Sequence, residues 1–168
     1  VAHKVMEAYE KVGAILNWSC IPYMAENIPL YGETLAFSES SATPYVNSVI
    51  GAKTNSEAAQ SALASGIIGK TPLYGLHIKE NRKGTSLVKV EAKLKDEFDY
   101  TLLGYAVGKL VGYGVPVLTG ITRQPTTEDF INFCAMSNTS GAISMFYMPG
   151  FTVEAATLEE AFQGDVPK

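Results

Sequence analysis

The sequence predicts an α/β domain in layers, with a mainly parallel or mixed sheet flanked by helices. Three observations carry that expectation. Segments with helical spacing alternate along the chain with short apolar runs of the kind found in buried strands. At 168 residues, 46% hydrophobic and 18% charged, the chain is sized for one sizeable core, so residues 1–168 are expected to fold as a single α/β domain. No internal repeat or low-complexity tract points to a solenoid or a disordered segment.

Taken in order, residues 2–12 place Val5, Met6, Tyr9 and Val12 at helical spacing, and Gly13 suits the helix end. Ala14 to Trp18 reads as a short buried strand stopped before Pro22, which puts Cys20 just past its carboxyl end. ETLAFS, ending at Ser38, is a second strand. Pro44 suits a first helical position with Ser41 or Thr43 as cap, and Thr54 with Glu57 has capping-box spacing for a helix ending near Gly69. LYGLHI is a strand holding His77, which reads as a hydrogen-bonded structural imidazole. SLVKVEAKLK alternates Val88, Val90, Ala92 and Leu94 with charged residues, the pattern of a half-exposed strand near a sheet edge.

Asp99 is the candidate cap of a helix to about Gly112. Gly104, Gly108 and Gly112 recur in it every fourth residue. Each glycine weakens a helix by about 1 kcal/mol relative to alanine, so close backbone packing is the expected compensation. VPVLTGI is a buried strand, Thr126 or Thr127 opens a helix to about Asn138, GAISMFYM is a further strand, and Val153 to Phe162 a last short helix.

Function is concentrated in residues 33–72. Small polar side chains recur there (Ser38, Ser40, Thr43, Asn47, Thr54, Asn55) at a density that core packing does not require, so the segment is expected to line something polar. Ser40, Ser41, Thr54 and Asn55 all fall near predicted helix starts, where free N–H groups favour an anion. For Glu39-Ser40-Ser41 a solvated, capped helix start is an equally simple account. Cys20 reads on composition as a small buried hydrophobe, and Cys134, within an apolar helical face, as core.

A net charge of −4 and the lack of any lysine or arginine run leave nucleic-acid binding without its phosphate-neutralising footprint. Two cysteines make no disulfide framework, and no membrane span, signal peptide or lipidation motif is visible, so a cytoplasmic location is expected.

SCIPY, GETLAFSESSA, NSVIGAKTN, SALASGIIGKTPLYGLHIKENR, DYTLLGYAVGKLVG and SGAISMFYMPGFTVEA, in that order from about Glu7 to Ala155, resemble successive blocks of the large subunit of aconitase X enzymes. The resemblance implies an aconitase-like α/β fold and a fragment of a longer catalytic subunit. It also implies an iron-dependent hydro-lyase activity: phosphomevalonate dehydration in the archaeal mevalonate pathway of isoprenoid biosynthesis first, cis-3-hydroxyproline dehydration second. A non-catalytic anion-binding or interaction domain of the same fold is the opposing reading.

By the same resemblance Cys20 is one of three thiolates that hold iron, as a 4Fe-4S or 2Fe-2S cluster or as iron alone, with the other ligands and the base outside this chain. Intact cluster is therefore not expected on this piece. Glu39, Ser40, Lys53 and Asn55 match positions that face a small anionic substrate. Lys53 stands where the family commonly has arginine, which keeps the charge and loses the two-pronged grip. A small swivelling subunit is implied as partner. Together these readings make Cys20 and the Glu39–Ser40 pair the rim of one cleft, each supplied by a strand end.

Overall fold

A computed structural model describes residues 2–167. Its elements are α1 (Ala2–Lys11), α2 (Ala42–Tyr45), α3 (Ala59–Ile68), β1 (Ser86–Lys89), α4 (Glu97–Val111), β2 (Pro116–Thr119), α5 (Thr127–Gly141) and α6 (Leu158–Ala161). Tight turns occupy Pro22–Met24, Gly75–His77 and Lys79–Arg82, and a wide π turn continues α2 through Val46–Ile50.

Parallel strands need a long crossover, and α4 supplies it between β1 and β2, which pair with Ser86 opposite Pro116 and Lys89 opposite Thr119. Tyr147 extends this sheet by one parallel bridge to Val117, its N–H donating to the Pro116 carbonyl at 2.9 Å. The expected α/β class with parallel pairing is therefore what the chain adopts. A second parallel bridge, Thr34 to Lys53, lies apart in the first half.

The glycine spacing in α4 is explained by α5. A Cβ on Gly104 would lie 2.5 Å from the Phe133 carbonyl oxygen, and one on Gly108 would lie 2.6 Å from that of Ser137. Gly141 of α5 faces the Gly108 backbone in return. Gly112 has another job: with φ of +64° and open space around it, it closes the helix. Beneath these helices Tyr100, Phe133, Cys134, Phe146 and Leu118 are buried in one cluster with Tyr23, Phe37, Tyr45 and Val46 of the first half.

α4, α5 and α6 start on a side-chain cap, α4 on a different residue than expected, while α2 and α3 have none. Thr126 and Asp129 form a reciprocal capping box on α5, as expected. Asp96, not Asp99, caps α4 by accepting from the Phe98 and Asp99 N–H groups, while Asp99 accepts from the Lys95 N–H. Thr54 caps nothing: it is buried, accepts from the Phe37 N–H and donates to the Asn55 carbonyl, so α3 starts later and without a side-chain cap. Pro44 is the third residue of α2 instead of the first. The last helix begins only after Thr157, whose hydroxyl accepts from the Glu160 N–H.

Several expected strands are shorter or absent. Residues 14–18 are irregular, with Ile15 and Trp18 exposed, because no strand edge among the described residues pairs with their backbone. Cys20 accordingly follows no strand. Residues 33–38 keep only the Thr34 bridge, and the Phe37 N–H goes to the Thr54 hydroxyl. LYGLHI folds as a tight turn. The alternating run from Ser86 pairs over four residues and leaves the sheet after Val90 to reach the Asp96 cap.

Candidate functional site

The stretch from Glu39 to Asn55 turns through α2 and the π turn and returns beside residues 33–37. One oxygen of the Glu39 carboxylate, Oε1, accepts from the Ser41 N–H at 3.2 Å and the Ser41 hydroxyl at 3.0 Å, with the Ser40 hydroxyl at 3.4 Å. The carboxylate thus closes its own turn with one oxygen. Ser40 is exposed.

Lys53 is half-buried and held by its backbone, whose N–H donates to the Glu33 carbonyl at 2.7 Å while its carbonyl accepts from Leu35 at 2.8 Å. Its ammonium group forms no ion pair among the described residues. Asn55 is buried, with Oδ1 accepting from the Leu76 N–H at 2.8 Å and Nδ2 donating to the Tyr74 carbonyl at 3.2 Å. It borders a cleft of about 470 Å³ that is also lined by Ser56, Leu76, Asn81, Tyr113 and Ser144.

Cys20 is exposed on the irregular segment before Pro22. Three residues on, Tyr23 inserts into the core and stacks on Tyr45 with ring centroids 4.3 Å apart. This stack fastens the Cys20 segment to α2, the helix that directly follows Glu39–Ser41. Burial first, and the Cys134, Tyr45 and Glu39 charges after it, push the Tyr23 hydroxyl well above the ordinary tyrosine range. That hydroxyl has no hydrogen-bond partner.

As donors for iron the two cysteines differ in kind. Cys20 offers an accessible sulfur that fits one thiolate position of a cluster. Cys134 is enclosed in the core, where burial pushes its thiol well above the ordinary range and disfavours the thiolate a metal needs. Both ring nitrogens of His77 face backbone carbonyls, Pro72 at 3.0 Å and Leu35 at 3.1 Å, and the imidazole N–H donates to one of them. No group of three or more His, Cys, Asp or Glu side chains converges among the described residues. The donor set therefore accommodates one attachment point for a cluster on this chain.

Sequence reasoning passed over a buried pair. The Arg82 guanidinium is 2% exposed and bonds both Glu154 oxygens, Nε to Oε2 at 2.9 Å and Nη2 to Oε1 at 2.6 Å. Its other donors go to Oδ1 and the carbonyl of Asn47 and to the carbonyls of Ala52 and Leu76. An ion pair that spans so much of the chain has no signature in local spacing. The run Lys79-Glu80-Asn81-Arg82-Lys83 has the composition of an exposed charged turn, so nothing local marks Arg82 as buried.

Residues 1–80 match the family model of the aconitase X first domain, and residues 84–168 that of the aconitase X second domain. The chain belongs to the aconitase X family. It is 43% identical over 151 residues to the phosphomevalonate dehydratase large subunit of Thermococcus kodakarensis, covering 90% of this chain and 39% of that protein. Against cis-3-hydroxy-L-proline dehydratase of Pseudomonas aeruginosa the identity is 35%, over 99% of this chain and 29% of the relative. The crystal structure of Thermococcus kodakaraensis aconitase X in its holo-form superposes with a TM-score of 0.88 at 42% identity, across 92% of this chain and 40% of that one. This aconitase X chain therefore spans about two-fifths of the large subunits it matches, and Arg82 lies between its two matched stretches.

Proposed function

We propose that this chain is part of the catalytic large subunit of an aconitase X hydro-lyase that dehydrates phosphomevalonate in the cytoplasm, together with a small subunit. The observation that carries the proposal is the 43% identity to a phosphomevalonate dehydratase large subunit over 90% of the chain. The membership of relatives named large subunit supports a small-subunit partner. No helix among the described residues is long and apolar enough to cross a membrane.

Within that reading, Cys20 supplies one thiolate to an iron–sulfur cluster, and its exposure on an irregular segment leaves the sulfur free to do so. When bound, the iron supplies Lewis acidity toward the departing hydroxyl. This chain's own residues bind and orient. Lys53, half-buried and without an acidic partner among the described residues, pairs with a carboxylate or phosphate of the substrate. The Ser40 hydroxyl donates to an anionic group of the substrate and the second oxygen of Glu39 accepts from its one hydroxyl, the turn being pre-set by the bonds from Ser41. Asn55 meets the substrate from the wall of the cleft that it lines with Ser56, Leu76 and Ser144.

The test is turnover by the complete two-subunit protein, loaded with iron and sulfide, offered phosphomevalonate and cis-3-hydroxy-L-proline in parallel. Water loss from phosphomevalonate is the expected result. Turnover of hydroxyproline alone would reassign the substrate, and inactivity toward both with full iron content would favour a non-catalytic role. In the same preparation Lys53→Met should raise KM about tenfold or more, the size expected when a charge-assisted contact to an anion is lost.

A further inference from the structure

We propose that Arg82 is a positioning residue: a buried guanidinium through which the second half of the chain sets the Ala52–Asn55 loop, and with it Lys53 and Asn55. The inference rests on the reading above, in which those two residues meet the substrate.

Three branches leave the guanidinium for that loop. The first is direct and the weakest, one Nη2 hydrogen being shared between the Asn47 carbonyl at 2.9 Å and the Ala52 carbonyl at 3.3 Å. The second runs through Asn47, whose Oδ1 accepts from Arg82 Nη1 at 3.1 Å and from the Thr54 N–H at 3.0 Å. Asn47 Nδ2 completes the grip by donating to the Thr54 carbonyl at 2.9 Å. The third runs through Leu76, whose carbonyl accepts from Arg82 at 3.0 Å and whose N–H holds the Asn55 side chain at 2.8 Å. Gly75 lies so close to Asn55 Oδ1 that no Cβ fits between them, which leaves this branch no slack.

The other end of the device belongs to residues 84–168. Glu154 neutralises the guanidinium, and the Tyr147 hydroxyl donates to the Arg82 carbonyl at 2.9 Å. Asn47 Nδ2 also donates to the Ser144 carbonyl at 2.9 Å. Asn55, Leu76 and Ser144 all border the cleft of about 470 Å³, so Arg82 stands behind a wall that both halves build. A buried ion pair is weak grounds for stability alone, since two apolar residues of like volume often serve as well. A planar fork that must reach three separate backbone carbonyls and two side chains is another matter: lysine keeps the charge and loses the geometry.

The experiment uses the complete two-subunit protein carrying Arg82→Lys, with kcat and KM measured separately and amide hydrogen exchange followed in the peptides that contain Thr54 and Leu76. Expected are a rise in KM of about tenfold, a fall in kcat of less than about threefold, and faster exchange at both amides with the α4–α5 peptides unchanged. Asn47→Ala cuts the Thr54 branch while sparing the Arg82–Glu154 pair. It should raise KM and expose Thr54 but leave Leu76 protected. A folded Arg82→Lys protein with lowered thermal stability but unchanged KM and unchanged exchange overturns the proposal. If that variant does not fold, the same outcome in Asn47→Ala does so. Should the wild type turn over neither substrate, the dehydratase reading fails, and the exchange pattern alone decides whether Arg82 holds the loop.

Discussion

Gly104 and Gly66 are both helical glycines, and replacing each by alanine should move stability in opposite directions. Alanine in place of an interior glycine favours a helix by about 1 kcal/mol. At Gly66 in α3 an added Cβ meets nothing within 4 Å, so the full gain is expected. At Gly104 the same methyl would stand 2.5 Å from the Phe133 carbonyl oxygen and 3.1 Å from its Cα, atoms of a helix backbone that cannot rotate aside. Ordinary contact lies at 3.4–4 Å, so α4 and α5 must separate by close to 1 Å. Overpacking of this kind costs about 1–3 kcal/mol and usually exceeds the propensity gain. Against backbone atoms the upper end applies, about 3 kcal/mol less the helix gain of about 1, so the expected net change for Gly104→Ala is a loss of about 2 kcal/mol, which at a urea slope of about 2 kcal/mol/M lowers the unfolding midpoint by about 1 M. Urea melts of wild type, Gly104→Ala and Gly66→Ala under one buffer decide it. A Gly104→Ala midpoint at or above wild type would show that the two helices do not approach as described.

The cysteines should separate cleanly under a thiol reagent at pH 8. Cys20 is exposed and reacts in the folded, iron-free protein, whereas Cys134, enclosed and with its thiol pushed up by burial, reacts only after denaturation. Rapid native labelling at both positions would contradict the packing of α5. Alkaline pH should weaken the fold through the buried tyrosines. Burial raises the hydroxyls of Tyr23, Tyr147, Tyr45 and Tyr100, so the unfolded chain ionises first, near pH 10. Their contribution is whole below that pH and falls as pH rises beyond it, by about 1.4 kcal/mol per pH unit for each hydroxyl still protonated in the fold. Denaturation midpoints that hold from pH 7 to about 9 and drop above about 10, with tyrosinate absorbance appearing in step, are the expected result. Full native titration near pH 10 without unfolding would refute it.

What could be read from the sequence was local chemistry with a mechanism. Thr126 and Asp129 close the capping box their spacing announces. The glycine period in α4 announced a close approach, although only Gly104 and Gly108 serve it and Gly112 ends the helix. What could not be read was partnership. Residues 14–18 have the composition of a buried strand, and without a neighbouring edge among the described residues they stay irregular with Ile15 exposed. The alternation from Ser86 to Lys95 shows which side of a ribbon faces inward, but its pairing stops at Lys89 because β2 ends opposite. Arg82 and Glu154 escaped notice for the same reason: their meeting is a property of the folded chain.

The density of small polar residues between Ser38 and Asn55 is the instructive case, because two populations share it. Thr43, Asn47, Ser48, Thr54 and Asn55 are buried, and each is bound to a backbone group of this chain. A buried amide or hydroxyl left without a partner costs about 1–3 kcal/mol, so burial and internal bonding come together. Such residues are the stitching of an irregular region that has only one β-bridge, Thr34 to Lys53, and needs side chains where a sheet would use its own ladder. Ser40, Lys53 and the second oxygen of Glu39 are left with unused hydrogen-bonding capacity toward a ligand, and Asn55 belongs to both populations because one Nδ2 hydrogen remains for the cleft it borders. Polar density along a sequence is thus a poor guide to a binding surface, and the feature that distinguishes the groups facing a ligand is unused capacity at partial exposure. By that criterion substitutions at Ser40 or Lys53 should alter substrate binding with little effect on the unfolding midpoint, while Asn47 and Thr54 should move both.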